Sequence, residues 1–264
     1  MTELPFAQID AFADRPFGGN PAAVVPLAGD WLPDALLQAI AAENNLSETA
    51  FTIPAADDAA DYELRWFTPT TEVALCGHAT LASGHALMGD RDSLRFRTRK
   101  AGILTVARAG DELRLDLPAT RVRPSAISGL AEALRTPEAE LFLSYEGAEA
   151  TAIVLLPDEA AVRACAPDMA RLRQIALMAI VTAPGRDSDV VSRVFVPAWG
   201  VDEDPVTGSA HAALAPFWAE RLGRDSFTAY QASRRGGHVS CRVAGDRVLL
   251  GGRCVTVIRG HLLL

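Results

Sequence analysis

The chain repeats itself once, and this repeat limits the folds it can adopt. Two stretches, "RWFTPTTEVALCGHATLA" from Arg65 and "RVFVPAWGVDEDPVTGSAHAAL" from Arg193, share an Arg-x-Phe-x-Pro start, an acidic loop and a Gly-polar-Ala helix opening. Their helix-opening glycines, Gly77 and Gly208, are 131 residues apart. Downstream, residues 98–115 match residues 233–250 at an offset of 135. In a chain of 264 residues, the repeat predicts two pseudo-equivalent domains of about 120–130 residues each.

Each half mixes strand-like and helix-like segments. "LPDALLQAIAAENN" (32–45) has one apolar face at helical spacing, and "GHATLASGHALM" (77–88) is typical of a buried helix. Around them lie alternating or short apolar segments such as "ETAFTIP", "YELRWFTP" and "ELRLDLP", which predict strands. We therefore expect an α+β fold in which a mostly antiparallel sheet packs on one or two helices in each half.

Composition excludes several classes of protein. The formal net charge is −8 and the pI is about 5.2, so the chain lacks the basic surface that nucleic acid or anionic lipid requires. No apolar run approaches the roughly 18–20 residues of a membrane span, and the sequence "MTELPFAQIDAF" does not predict a secretory signal. A cytoplasmic protein with four reduced cysteines is expected. No G-x-G-x-x-G or Walker sequence is present, so no nucleotide cofactor is expected.

The stretch "ALCGHATLASGHAL" (74–87) could hold a metal, a reactive thiol or an anion. A metal is disfavoured because His78 and His85 lie two helical turns apart, about 10 Å along the axis, and cannot share one ion. Cys76 precedes a helix N-terminus, where peptide dipoles favour a thiolate. Its counterpart in the second half is Thr207, so any thiol chemistry would be one-sided.

The anion interpretation fits both halves at once. Gly77 and Gly208 each open a helix, where free backbone N–H groups bind carboxylates and stabilise enolate-like charge. An acidic chain could thus bind a small carboxylic acid. Glu48 is the candidate base, because a partly buried carboxylate with a raised pKa suits proton transfer. When the two halves are aligned by sequence, Glu48 corresponds to Met178. A carboxylate that only one half carries suggests a function added to that half. A capping or surface role for Glu48 remains the alternative.

Four motifs, "GNPAAV", "NLSETAF", "CGHATLA" and "EDPVTGSA", occur in this order over essentially the whole chain. With them the chain resembles the PhzF-like phenazine-biosynthesis isomerases, a family similar to diaminopimelate epimerase. The resemblance implies Glu48, His78 and Asp204 as catalytic residues, and Ser209 and Asn20 as substrate-binding residues.

The resemblance also implies the domain plan. A first domain at 1–118 would be completed by the last strand, about 256–264, and a pseudo-repeat domain would occupy 119–255. Each would be a sheet wrapped around a central helix, as in diaminopimelate epimerase, and relatives of this fold often form homodimers. Epimerase relatives use two facing cysteines, one before each central helix. Here Cys76 occupies the first of these positions, but Thr207 occupies the second. A two-thiol racemase is therefore not expected.

Together these observations predict a cofactor-free, metal-free isomerase that moves a proton on a small carboxylic acid similar to trans-2,3-dihydro-3-hydroxyanthranilate. Glu48 would carry the proton, while backbone groups at Gly77 and Gly208, with Ser209 and Cys76 beside them, would hold the substrate. Two alternatives stay open. One is an epimerase or racemase assisted by Cys76, and the other is a small-acid binding protein without catalysis.

Overall fold

The structure is a computed structural model that describes residues 2–144 and 150–264. The chain forms two compact units. Unit 1 consists of Met1–Asp116 together with Gly251–Leu264, and unit 2 consists of Leu117–Leu250. The C-terminal segment therefore belongs to the first unit, where it pairs with the N-terminal strand.

Unit 1 contains two helices and a mixed sheet. Its helices are α1 (Asp34–Asn44) and α2 (Gly77–Leu87). Its strands are β1 (Glu3–Ala11), β2 (Asn20–Pro26), β3 (Glu48–Pro54), β4 (Tyr62–Phe67), β5 (Glu72–Val73), β6 (Ser93–Thr98), β7 (Ile103–Ala109), β8 (Glu112–Pro118), whose last residues pass into unit 2, and β18 (Cys254–Leu263).

The sheet of unit 1 surrounds one helix. Antiparallel pairs join β18 to β1, β1 to β2, β3 to β4, β6 to β7 and β7 to β8, while β2–β3 and β4–β6 are parallel. Helix α2 contacts β1, β2, β3, β7 and β18, and its residues 77–84 are all buried. A helix that is apolar and small-chained on every side is suited to this central position. The predicted central helix of this half is confirmed.

In its described residues, unit 2 has three helices of four to six residues and one helix of 15 residues. They are α3 (Leu130–Leu134), α4 (Glu159–Ala164), α5 (Met169–Leu172) and α6 (Gly208–Leu222), with a 3-10 turn at Pro197–Trp199. Its strands are β9 (Arg123–Pro124), β10 (Glu140–Ser144), β11 (Thr151–Leu155), β12 (Met178–Pro184), β13 (Val190–Val196), β14 (Val201–Asp204), β15 (Ser226–Gln231), β16 (Gly237–Ala244) and β17 (Arg247–Gly252), whose end lies in unit 1.

The strand pairing of unit 2 follows that of unit 1. The parallel pair β11–β12 corresponds to β2–β3, the antiparallel pair β12–β13 to β3–β4, and the parallel pair β13–β15 to β4–β6. Helix α6 takes the place of α2 and is buried along most of its length. The repeat seen in the sequence is therefore a repeat of topology. Because β-α-β crossovers supply the parallel pairs, each sheet is mixed, with mostly antiparallel neighbours.

Each unit also contains the same ion pair. Arg65 on β4 donates from Nε and Nη2 to Glu72, at 2.8 Å each, and Arg193 on β13 makes the corresponding two bonds to Glu203, at 2.8 and 3.0 Å. Bidentate pairs of this kind fix the geometry of both side chains. They hold the acidic loop that precedes the central helix in each half, so the repeated arginine has a structural role. Glu203 is accordingly a structural residue of that loop.

Among the described residues, no helix combines the length and the apolar character needed to cross a bilayer.

Candidate active site

The helix-opening sequence of unit 1 places Cys76 and His78 against Glu48. Cys76 is the N-cap of α2, in an extended conformation and without a capping hydrogen bond from its side chain, and His78 lies in the first turn. Glu48 is the first residue of β3, which pairs in parallel with β2 and packs on α2. One ligand-type atom from each of the three side chains lies within 4.8 Å of the others.

His78 is the centre of this cluster. Its Nε2 lies 3.1 Å from Glu48 Oε2, and its Nδ1 lies 3.5 Å from Cys76 Sγ and 3.2 Å from the side-chain nitrogen of Asn20. The hydroxyl of Ser47 donates to Asn20 Oδ1 at 3.1 Å. Asn20 is completely buried and His78 is 4% exposed. Asn20 therefore reaches the cluster through His78, as a buried neighbour of the imidazole.

The pair His78–Glu48 is close without forming a complete hydrogen bond. Among the described residues, neither Nε2 of His78 nor Oε2 of Glu48 makes a well-aligned hydrogen bond, although both atoms are buried. Buried polar groups are normally satisfied, and exceptions occur at sites built to receive another group. The Glu48 side chain as a whole is 18% exposed, although its Oε2 atom is buried.

Charge within the cluster favours protonated Cys76. Burial, together with the nearby Glu48 carboxylate, raises the pKa of the Cys76 thiol to about 11, against the opposing effect of His78. Burial acts to lower the pKa of His78, but the Cys76 sulfur and the Glu48 carboxylate outweigh it, so this pKa is raised well above its usual value. Because Cys76 holds its proton at neutral pH, Glu48 is the charged neighbour that stabilises the imidazolium form.

The same three residues would offer a metal ion one sulfur, one nitrogen and one oxygen. An ion can bind only one ring nitrogen of His78, yet Cys76 contacts Nδ1 and Glu48 contacts Nε2. The arrangement thus favours a hydrogen-bonded cluster for proton transfer over a metal centre. His85 lies elsewhere, with Nε2 3.0 Å from Thr256 Oγ1.

In unit 2 the corresponding positions carry different chemistry. Glu48 and Met178 are each the first residue of a seven-residue strand, so their predicted alignment is confirmed. In unit 1, His78 faces Glu48. At the corresponding place in unit 2, Ser209 Oγ lies 4.0 Å from Met178 Sδ. The repeat therefore conserves the contact between helix opening and strand start, but only unit 1 has a carboxylate and an imidazole there.

The helix opening of unit 2 brings Asp204, Gly208 and Ser209 together at the start of α6. Thr207, the N-cap, donates its hydroxyl to Asp204 Oδ2. Thr207 occupies the position of Cys76, and its hydroxyl proton is already used by Asp204. Thr207 therefore does not supply the acid–base group that a second cysteine would supply at this position.

The predicted site residues thus form two sets, each described within its own unit. Unit 1 brings together Glu48, Cys76, Gly77, His78 and Asn20, and unit 2 brings together Asp204, Gly208 and Ser209. Sequence reasoning did not select Gln231 and His211, which contact the α6 opening. Gln231 lies 24 residues from Thr207 along the chain, so no local pattern could have indicated this contact.

Comparison with known proteins supports the motif-based resemblance. A protein of Pseudomonas aeruginosa named as an uncharacterized isomerase is 49% identical over 99% of this chain and 100% of its own length. A crystal structure of a PhzF-family protein from Enterococcus faecalis superimposes with a TM-score of 0.91 at 40% identity and covers 100% of both chains. A hydroxyproline epimerase from Agrobacterium vitis, at 13% identity and a TM-score of 0.61, covers 98% of this chain and 92% of its own and shares the fold alone.

The predicted α+β fold of the epimerase type and the predicted enzyme class, an isomerase, are both confirmed by these relatives. A family model described as phenazine biosynthesis-like protein (PhzC-PhzF) matches residues 9–260. The chain therefore belongs to the PhzC-PhzF family of phenazine biosynthesis-like proteins.

Proposed function

We propose that the protein is a cofactor-independent isomerase that moves a proton between two carbon atoms of a small carboxylic acid, with Glu48 as the acid–base group. The observation that carries this proposal is the buried Oε2 of Glu48, which lies 3.1 Å from His78 and makes no complete hydrogen bond in the described part of the chain. A carboxylate oxygen in this position can accept a proton from a substrate carbon.

Glu48 alone both removes and returns the proton. Glu48 takes a proton from a carbon next to an unsaturated or carbonyl group and becomes a carboxylic acid. It then returns the proton to another carbon of the same molecule, so that bonds are rearranged without net oxidation or loss of atoms. His78, with its raised pKa, keeps a positive charge beside the carboxylate and the developing negative charge of the substrate.

Each helix opening offers a place for a substrate carboxylate within its own unit. The N-caps of α2 and α6, Cys76 and Thr207, make no capping bond from their side chains to the helix backbone. The N–H groups at Gly77 and Gly208 are thus positioned for an anion, with Ser209 beside the second. An acid similar to trans-2,3-dihydro-3-hydroxyanthranilate is the substrate class that the family resemblance suggests.

Deuterium exchange tests this proposal directly. The wild-type protein and Glu48→Gln are incubated in D₂O with trans-2,3-dihydro-3-hydroxyanthranilate and a panel of small amino and hydroxy acids, and deuterium incorporation is read by NMR and mass spectrometry. Loss of the base should slow exchange by about 10²–10⁴-fold. Glu43→Gln, the same change at an exposed position on α1, serves as the matched control. Wild-type exchange by Glu48→Gln would remove Glu48 from the mechanism.

The two alternatives correspond to other outcomes of this experiment. Loss of exchange in Cys76→Ala would support the epimerase in which Cys76 acts together with Glu48, against which the raised thiol pKa argues. Ligand-induced thermal stabilisation without any exchange would support a binding protein. The expected homodimer and cytoplasmic location stay predictions; light scattering after size-exclusion chromatography decides the first.

A further inference from the structure

A buried amide side chain makes three hydrogen bonds to the turn that precedes helix α6 in unit 2. Gln231, the last residue of β15, is completely buried. Its Oε1 accepts a hydrogen bond from Thr207 N at 2.9 Å, and its Nε2 donates to Asp204 O at 2.7 Å and to Thr207 Oγ1 at 3.2 Å. A backbone N–H can only donate and a carbonyl can only accept, so the orientation of this amide is fixed by its partners.

The amide also determines where the proton of Thr207 points. Since Thr207 Oγ1 receives an N–H from Gln231, its own hydrogen is directed to Asp204 Oδ2. The carboxylate of Asp204 is therefore oriented by a chain of hydrogen bonds that begins at Gln231. Ser233, two residues further along, donates to Pro205 O at 2.7 Å and holds the middle of the same turn.

Comparison with unit 1 shows that the fold itself does not need this amide. Strands β6 and β15 have the same length and the same burial pattern. The sequence offset of 135 pairs Thr98 with Ser233, but by strand register Thr98, opposite Leu64 of β4, stands where Gln231 stands, opposite Ser192 of β13. Thr98 directs its hydroxyl to Gly102 O, within its own turn, at 2.9 Å. A threonine is thus sufficient to end this strand, whereas Gln231 extends to the turn before the central helix.

We propose that Gln231 is a positioning residue of the active site, which holds the Asp204–Thr207 turn and, through the Thr207 hydroxyl, aims the Asp204 carboxylate. This inference rests on the proposed function, in which the opening of α6 contributes to the site, and on the family resemblance, which implies Asp204 as a catalytic residue. Gln231 does not act on the substrate itself. Its removal should misplace Asp204, and a displacement of about 1 Å in a catalytic site can cost of the order of 10²-fold in rate.

Three variants test the proposal. Gln231→Met keeps the length of the side chain and removes all three hydrogen bonds. Gln231→Glu keeps an acceptor for Thr207 N–H but replaces the donor to Asp204 O with an oxygen. Ser192→Ala is the matched control, because Ser192 pairs with Gln231 across β13 and β15, is equally buried, and its hydroxyl has no hydrogen-bond partner in the described part of the chain.

Two measurements are made on each variant. The hydrogen-exchange rate of the Thr207 amide is followed by NMR without substrate, and kcat and KM for deuterium incorporation are followed with the best acid of the panel. For Gln231→Met we expect faster exchange at Thr207 and a kcat lower by the order of 10²-fold, at every pH. For Gln231→Glu we expect activity relative to wild type to recover as the pH falls, because a protonated carboxyl can donate to Asp204 O as the amide does.

The outcomes separate this inference from the proposed function. Unchanged protection of the Thr207 amide in Gln231→Met, or unchanged kcat, would overturn the positioning role. Equal losses in Gln231→Met and Gln231→Glu at all pH values would show that restoring a donor to Asp204 O does not restore activity, and would also overturn the positioning role. If the wild type exchanges no proton of any acid, the proposed function fails, and faster Thr207 exchange in Gln231→Met would still show that Gln231 holds the turn.

Discussion

The reactivity of Cys76 should report the charge on Glu48, and this can be measured without knowing the substrate. The thiol is buried beside the carboxylate, and both effects raise its pKa, to about 11. At pH 7 the thiolate fraction of Cys76 is then about 10⁻⁴, compared with about 3% for an ordinary cysteine of pKa near 8.5. Alkylation by iodoacetamide should accordingly be slow at neutral pH.

Replacing Glu48 by glutamine removes the negative charge and should make Cys76 more reactive. The two groups lie within 4.8 Å of each other. At that separation a unit charge contributes about 0.9 kcal/mol with the permittivity of water and about 3.5 kcal/mol with an effective value near 20. These energies correspond to about 0.6–2.5 pKa units. Glu48→Gln should therefore raise the alkylation rate at pH 8 by about 4- to 300-fold.

Peptide mapping by mass spectrometry gives the rate at Cys76 separately from the other three cysteines. Limited access of iodoacetamide to Cys76 would lower the alkylation rate by the same factor at every pH. The pH dependence of the rate therefore reports the pKa of the Cys76 thiol. For the wild type, the rate should rise about tenfold per pH unit from pH 7 to 9.5 without a plateau. Glu43→Gln should leave the rate unchanged. A plateau below pH 9 in the wild type, or no increase in Glu48→Gln, would refute this description of the cluster and would revive the Cys76-assisted epimerase.

Two further predictions concern stability. A Cβ added at Gly84 would lie 2.5 Å from Cγ1 of fully buried Val106, so Gly84→Ala should destabilise the fold by about 1–3 kcal/mol in chemical denaturation, despite the better helix propensity of alanine. Gly29→Ala, where a Cβ meets nothing within 4 Å, should be near neutral; equal effects would contradict the packing argument. Burial lowers the pKa of His211 to about 4, below its value in the unfolded chain. As the pH falls, the unfolded chain therefore binds this proton before the folded protein does. The free energy of unfolding should decrease by about 3 kcal/mol between pH 6.5 and pH 4. His211→Thr should flatten that part of the pH–stability curve, and a parallel curve would show that His211 is not buried in its neutral form.

The sequence predicted the features that depend on local pattern and on repetition. Two runs with the same residue types at almost constant offset could only be two copies of one topology, and the apolar, small-chained segment after Gly77 had to be a buried helix. The alignment of Glu48 with Met178 followed from the same repeat. These predictions succeeded because the side-chain periodicity of helices and strands is visible within one segment.

Only the tertiary structure decided how the site residues contact one another. Asn20 is brought to His78 by strand β2, although the two lie 58 residues apart, and Gln231 is brought to the turn at Thr207 by strand β15. The state of the Cys76 thiol was also beyond the sequence: its place before a helix favours a thiolate, but burial and a neighbouring carboxylate raise its pKa to about 11. Burial and long-range hydrogen bonds arise when distant segments pack together, and therefore no local pattern contains them.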